Sequence, residues 1–146
     1  MGLKYLLDAN ILSEPTKKQP NQQVLHKLGI HAGKYCTAVT VWHEMHYGLA
    51  RLVESQRKTA LCAYMQRLED SGLPILPYEK TAGLWLAQER ARLSQQGIAI
   101  PFADGEIAAI AFTNQLILVT RNVSDFNMYG QLVIENWFDG ESNSGS

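Results

Sequence analysis

Four carboxylates stand where short apolar runs end or helical patterns begin, and together they could hold a divalent cation. Asp8 closes the apolar run 3–7, Glu44 opens a helical pattern after the run 35–39, and Asp125 follows the run 116–119. Asp104 starts a stripe in which Ile107, Ala108, Ile110 and Ala111 recur on the side where Asp104 projects. Each acid alone has a plainer reading: Asp8 as an Asx-turn or helix cap, Glu44 as a favourable charge in the first turn of a helix. Brought together they need another explanation. Two carboxylates about 4 Å apart repel by about 4 kcal/mol at an effective dielectric near 20, so a cluster either takes up protons or holds cations. Carboxylate oxygen is the donor type that Mg²⁺ or Mn²⁺ prefers, and a metal so held activates water and neutralises charge on a phosphodiester.

The elements that must position these acids are organised around residues 101–126. A helix there ends near 113–115 and is followed by the branched, wholly apolar run 116–119, which suits a strand buried on both faces of a parallel sheet. Earlier, Pro15 breaks the segment after Asp8, and residues 17–20 form a loop. A short amphipathic helix starts near Asn21 with Val24, Leu25 and Leu28 on one side. Thr40 is the expected N-cap of a helix that places Val41, Met45, Leu49 and Leu52 on one face, with Glu44 at its margin. A second helix over 56–68 carries Leu61, Tyr64, Met65 and Leu68 and ends at Ser71-Gly72. Residues 73–76 read as an edge strand, 81–95 as a long helix stopped by Gly97, with Trp85 in the core, and 132–134 as a last strand.

This alternation predicts an α/β protein, a three-layer α/β/α fold with a short, mainly parallel central sheet. Right-handed crossovers put the carboxyl ends of such strands on one edge, where ligands bind. Asp8, Glu44 and Asp125 map to that edge by topology, and the helix of Asp104 returns to the same layer. Residues 1–138 are expected to form a single domain, and 139–146, which hold only Gly, Ser, Asn and acids, a disordered tail.

The 146 residues suffice for one core burying roughly 68 to 70% of the unfolded surface. No apolar run approaches the ~20 residues of a membrane span. The first run meets Asp8, unlike a signal peptide, and Leu6 leaves a myristoylation pattern incomplete, so a soluble cytoplasmic protein is expected. A net charge of −1 argues against coating nucleic acid by bulk electrostatics, though not against a local basic rim. Cys36 and Cys62 form no C-x-x-C and are expected to be buried thiols. The run H-E-M-H at 43–46 is not the zinc-protease H-E-x-x-H, and no third His or Cys ligand accompanies it. Arg51, Arg57, Lys58 and Arg67 read first as a solvated face, with phosphate contact as the second reading. Glu106 reads as an exposed first-turn acid on another helical face from Asp104.

The segments L-L-D-A-N-I-L-S-E, T-V-W-H-E-M-H-Y-G-L, D-G-E-I-A-A-I-A and V-T-R-N-V-S-D-F resemble those of PIN-domain ribonucleases of the bacterial VapC toxin type, including the FitB-like branch. The resemblance runs from about residue 4 to 138. It implies that Asp8, Glu44, Asp104 and Asp125 are a catalytic quartet binding Mg²⁺ or Mn²⁺, with Asn10, Thr120 and Asn122 as supporting polar groups. Where the family commonly has a hydroxyl between the first Asp and Asn, this chain has Ala9, which removes one possible hydrogen bond to metal water or substrate. The resemblance further implies an endoribonuclease acting on RNA such as tRNA or rRNA, a cognate VapB-like antitoxin and a homodimer. Arg121, Lys17 and Lys18 are candidate RNA phosphate contacts.

Other readings fit less well. A haloacid-dehalogenase-type phosphatase uses D-x-D after its first strand, and Asn10 takes the second position. A nucleotide-binding module lacks its Gly-rich loop after the first strand. A PIN-like partner-binding module without catalysis would have little use for an intact quartet.

Overall fold

The computed structural model describes residues 2–138; the expected tail at 139–146 lies outside them. Five parallel strands form the sheet: β1 (Tyr5–Leu7), β2 (Tyr35–Ala38), β3 (Ile75–Leu76), β4 (Ile117–Val119) and β5 (Ile134–Glu135). Their order is β3-β2-β1-β4-β5. The chain therefore builds outward from β1 to β3 and then returns to the other side of β1 to lay down β4 and β5. The point of reversal lies between the carboxyl ends of β1 and β4, the place where open α/β sheets bind ligands.

Six helices cover the sheet: α1 (Ala9–Leu12), α2 (Gln22–Ile30), α3 (Val39–Arg51), α4 (Gln56–Asp70), α5 (Lys80–Gln95) and α6 (Phe102–Thr113). Leu6 and Leu7 of β1 and Leu118 and Val119 of β4 are fully buried between the layers. Helix α6 explains its continuous apolar run by being buried on most sides: residues 107–111 are all inaccessible. It lies close against α5. A Cβ on Gly105 would come within 2.8 Å of Leu86 Cδ1, so the glycine after Asp104 permits the approach. Trp85 is half-buried and stacks on Phe112 with ring centroids 4.9 Å apart, in keeping with its expected core role.

Several local expectations are corrected. Helix α3 starts at Val39 with Ala38 as its N-cap, so Thr40 is inside the helix rather than capping it. Its hydroxyl instead donates to Glu106 Oε1 at 2.8 Å, which makes Glu106 a half-buried partner of α3 and not an exposed first-turn acid. The same earlier start puts Glu44 in the second turn, beyond the reach of a first-turn dipole argument. Pro15 does not end structure but sits in the first turn of a 3₁₀ helix, Glu14–Thr16, where its missing N–H costs nothing. Of the two thiols, Cys36 is buried and Cys62 exposed. His43 stacks on Tyr47 and His46 meets Trp42 edge-on. Among the described residues, no helix is long and apolar enough to cross a membrane.

Candidate active site

At the reversal point, Asp8 follows β1 and uses its two carboxylate oxygens differently. Oδ1 accepts the Ala9 N–H at 2.8 Å, so Asp8 is indeed the cap of α1. Oδ2 accepts the Thr120 hydroxyl at 2.9 Å. The cap reading of Asp8 thus holds, and its second oxygen is tied to the end of β4. Thr120, fully buried at the end of β4, also accepts the Asn122 N–H at 3.0 Å. Asn10 crosses from the β1 side, its Oδ1 taking the Arg121 N–H at 2.9 Å and its Nδ2 lying 3.4 Å from Thr120 Oγ1. Asn10 and Thr120 thus brace the two strand ends against each other. Asn122 contributes its backbone N–H.

The other three acids arrive from separate elements: Glu44 from α3, Asp104 from the first turn of α6, and Asp125 from a 3₁₀ turn, Val123–Asp125, after β4. Their mutual influence shows in protonation. Burial pushes the Asp104 carboxyl up to about 6, helped by the charges of Asp125, Asp8 and Glu44. Asp8 is raised mainly by burial and further by Asp125, against the hydrogen bonds from Ala9, Thr120 and Asn10. Glu44 is raised by burial and by Asp8, with His43 opposing. Glu44 is exposed as a residue, yet it lines a recess of about 230 Å³ with Ser13, Met45 and Arg57, which accounts for that burial effect. Asp8, Glu44, Asp104 and Asp125 are thus close enough for their charges to act on one another.

The donor chemistry suits a hard divalent cation: every candidate ligand is a carboxylate oxygen, and no Lys or Arg forms an ion pair with any of the four among the described residues. The side chains do not yet converge on one point, since among the described residues no three His, Cys, Asp or Glu groups form a closed metal cage. Donor type fits Mg²⁺ or Mn²⁺, and Glu44 and Asp125 are the two exposed members of the four.

Around the acids, Arg121 lies over the Phe138 ring, 4.3 Å from its centroid, and Lys17 Nζ lies 6.0 Å from the same centroid. Lys17 also pairs with Glu14 at 2.9 Å. Lys17 and Lys18 both line a second concavity with Arg57 and Arg67. Sequence reasoning missed Glu14, a carboxylate only 2% exposed, whose Oε2 takes the Asn21 N–H at 2.8 Å and fixes the entry to α2. It also missed Tyr129, a buried tyrosine whose hydroxyl has no hydrogen-bond partner among the described residues and whose pKa is raised by burial and by Asp104. Neither carries a spacing signal that the sequence could display.

Comparison with known proteins agrees with the fold. The sequence pattern of the PIN domain matches residues 5–129. The chain is similar to Toxin FitB of Neisseria gonorrhoeae, with 36% identity over 141 residues that cover 92% of this chain and 99% of that protein. Ribonuclease VapC2 of Haemophilus influenzae is 34% identical over 137 residues, covering 92% and 98%. A solved structure, FitAB bound to an IR36 DNA fragment, superposes with a TM-score of 0.83 at 29% identity, covering 94% of this chain and 98% of that one.

Proposed function

This chain belongs to the PIN-domain family, and from that premise we propose that it is a toxin-type endoribonuclease whose reaction depends on Mg²⁺ or Mn²⁺ held by Asp8, Glu44, Asp104 and Asp125. The observation that carries the reading is the coupling of four carboxylates at the reversal point between β1 and β4, with Asp104 pushed up to about 6. Such repulsion is tolerated where a cation relieves it. The relatives' names supply the substrate class: VapC2 is a ribonuclease and FitB a toxin.

A bound Mg²⁺ or Mn²⁺ would lower the pKa of water and offset charge developing on the cleaved phosphodiester. The chain's own residues do the rest. Thr120 and Ala9 fix both oxygens of Asp8, so this carboxylate is preset in direction. Burial and the neighbouring acids raise both Asp104 and Glu44, so a cation held among them would favour their ionised forms. Asn10 and Thr120 keep β1 and β4 in register, and Arg121, with Lys17 and Lys18 beyond it, offers positive charge to the RNA backbone.

Residues 1–138 serve as the single PIN domain. The protein acts in the cytoplasm as a homodimer on RNA, tRNA or rRNA included, and is neutralised by a VapB-like antitoxin that covers the acids. The test is incubation of total cellular RNA with purified, antitoxin-free protein and Mg²⁺ or Mn²⁺. Discrete fragments that vanish with EDTA and with Asp8→Asn are expected. Intact RNA with folded, metal-supplied protein would move the reading to a partner-binding PIN domain.

A further inference from the structure

We infer that a groove between the 3₁₀ turn after α1 and helix α4 holds the RNA strand that leaves the acid centre, its phosphates resting on Arg57 and Arg67 together with Lys18. This rests on the ribonuclease reading and extends it to side chains remote from the acids. The groove encloses about 610 Å³, and Lys17, Lys18, Arg57 and Arg67 all line it, with no carboxylate of the described residues on its walls. Only Lys17 is neutralised, by Glu14 at 2.9 Å; Lys18, Arg57 and Arg67 form no ion pair among the described residues. In a chain of net charge −1 the bulk field does not attract nucleic acid, so affinity must come from a local concentration of this kind.

Two connections join the groove to the acids. Arg57 and Leu61 line both the groove and the 230 Å³ recess walled by Glu44 and Ser13, so the two concavities share a border. On the other side, the Phe138 ring carries Lys17 and Arg121, which extends the positive rim to the end of β4. The groove wall is itself fixed. Tyr64 donates its hydroxyl to the Leu12 carbonyl at 2.6 Å, and the Arg67 guanidinium lies over the Tyr64 ring, 6.0 Å from its centroid. A strand cut at the acids would find successive cations along this path, which suits a repeating phosphate backbone.

The test compares binding of a fluorescein-labelled oligouridine of roughly 12 nucleotides, in EDTA, across a salt series. The proteins are the unaltered chain, Arg57→Gln/Arg67→Gln, and Lys4→Gln/Lys34→Gln, which removes two charges from the opposite edge of the sheet. Losing two phosphate contacts should flatten the salt slope by about 1.4 and weaken binding roughly five- to tenfold at low salt. The Lys4/Lys34 variant should keep the unaltered slope, and the groove variant should raise KM for RNA more than it lowers kcat. Equal slopes for both variants overturn the inference, as does an unaltered chain that fails to bind RNA at low salt. Unchanged RNA binding with weakened binding of an acidic protein segment overturns it in favour of a protein occupant. Because binding is read without metal, it is independent of the cleavage assay: absent cleavage with the expected slopes rejects the catalytic reading and leaves the groove in place.

Discussion

The Thr120 hydroxyl donates to Asp8 Oδ2 across 2.9 Å, joining the carboxyl ends of two neighbouring strands through a fully buried residue. Replacing Thr120 with the nearly isosteric valine removes this donor and leaves an acceptor in a buried setting. The cost expected is about 1–3 kcal/mol of folding stability. Urea denaturation should show it, and RNA cleavage should fall as well, because Asp8 loses the bond that directs it. Unchanged stability and activity would mean that the bond is not formed in solution.

Gly105 tests how tightly the Asp104 helix is seated. An alanine Cβ would meet Leu86 Cδ1 at 2.8 Å and Leu86 Cδ2 at 3.2 Å, and Leu86 is itself only 1% exposed, so it has little room to yield. Gly105→Ala should therefore cost about 1–3 kcal/mol through overpacking, despite alanine's better helix propensity. Thermal denaturation checks it. A stabilised variant would show that α5 and α6 are further apart than described.

Tyr129 carries a hydroxyl that is buried and has no partner among the described residues, an arrangement that costs the folded state. Tyr129→Phe keeps the ring that packs near Trp85 and Phe126 and removes the unpaired group. The melting temperature should stay the same or rise. A fall would reveal a hydrogen bond to the hydroxyl in the folded protein.

The raised pKa of Asp104 fixes the sign of a pH effect. In the unfolded chain the carboxyl titrates near its ordinary value of 3.8, and in the fold near about 6, so between these values the native state binds more protons. Metal-free stability must then lose an Asp104 contribution as pH rises from about 4 to about 6 and stay without it above. Paired carboxylates elsewhere act oppositely: Glu89 is held low chiefly by the Arg92 guanidinium, so its contribution is present at neutral pH and lost on acidification. The comparison of the parent with Asp104→Asn isolates the first effect. The parent should lose stability relative to the variant over that window, and parallel profiles would refute the shift.

Asp8 and Asp104 stood out in sequence because an apolar run stops at the one and a helical stripe begins at the other; Glu44, in the second turn of α3, and Asp125, in a 3₁₀ turn beyond β4, carry no such mark. The parallel sheet was legible because the run 116–119 is wholly apolar, as a strand buried on both faces must be, and Leu118 and Val119 are fully buried. Local boundaries were less so. A hydroxyl at a helix start looks like a cap, and Thr40 differs from one only because α3 begins one residue before it and Glu106 waits across the layer. The last strand, expected at 132–134, forms at Ile134–Glu135, paired with Leu118 and Val119. The burial of Glu14 depends on Asn21 and Lys17 folding back over it from a stretch that reads as loop. The exposed face of α4 looks merely solvated, because sequence shows which residues are charged but not that Arg57 and Arg67 share a concavity with Lys17 and Lys18.

The most direct test of the central claim, that four acids form one centre whose repulsion a cation relieves, is thermal denaturation near pH 7.5 with and without Mn²⁺. Asp104→Asn should melt higher than the parent in EDTA, because a neutral amide escapes the cost of burying a charge and also removes repulsion from Asp125, Asp8 and Glu44. Mn²⁺ should raise the melting temperature of the parent and have little effect on the variant, since ligand binding stabilises only the state that binds it. An Asp104→Asn protein that melts no higher in EDTA, and that gains as much from Mn²⁺ as the parent, would contradict the account.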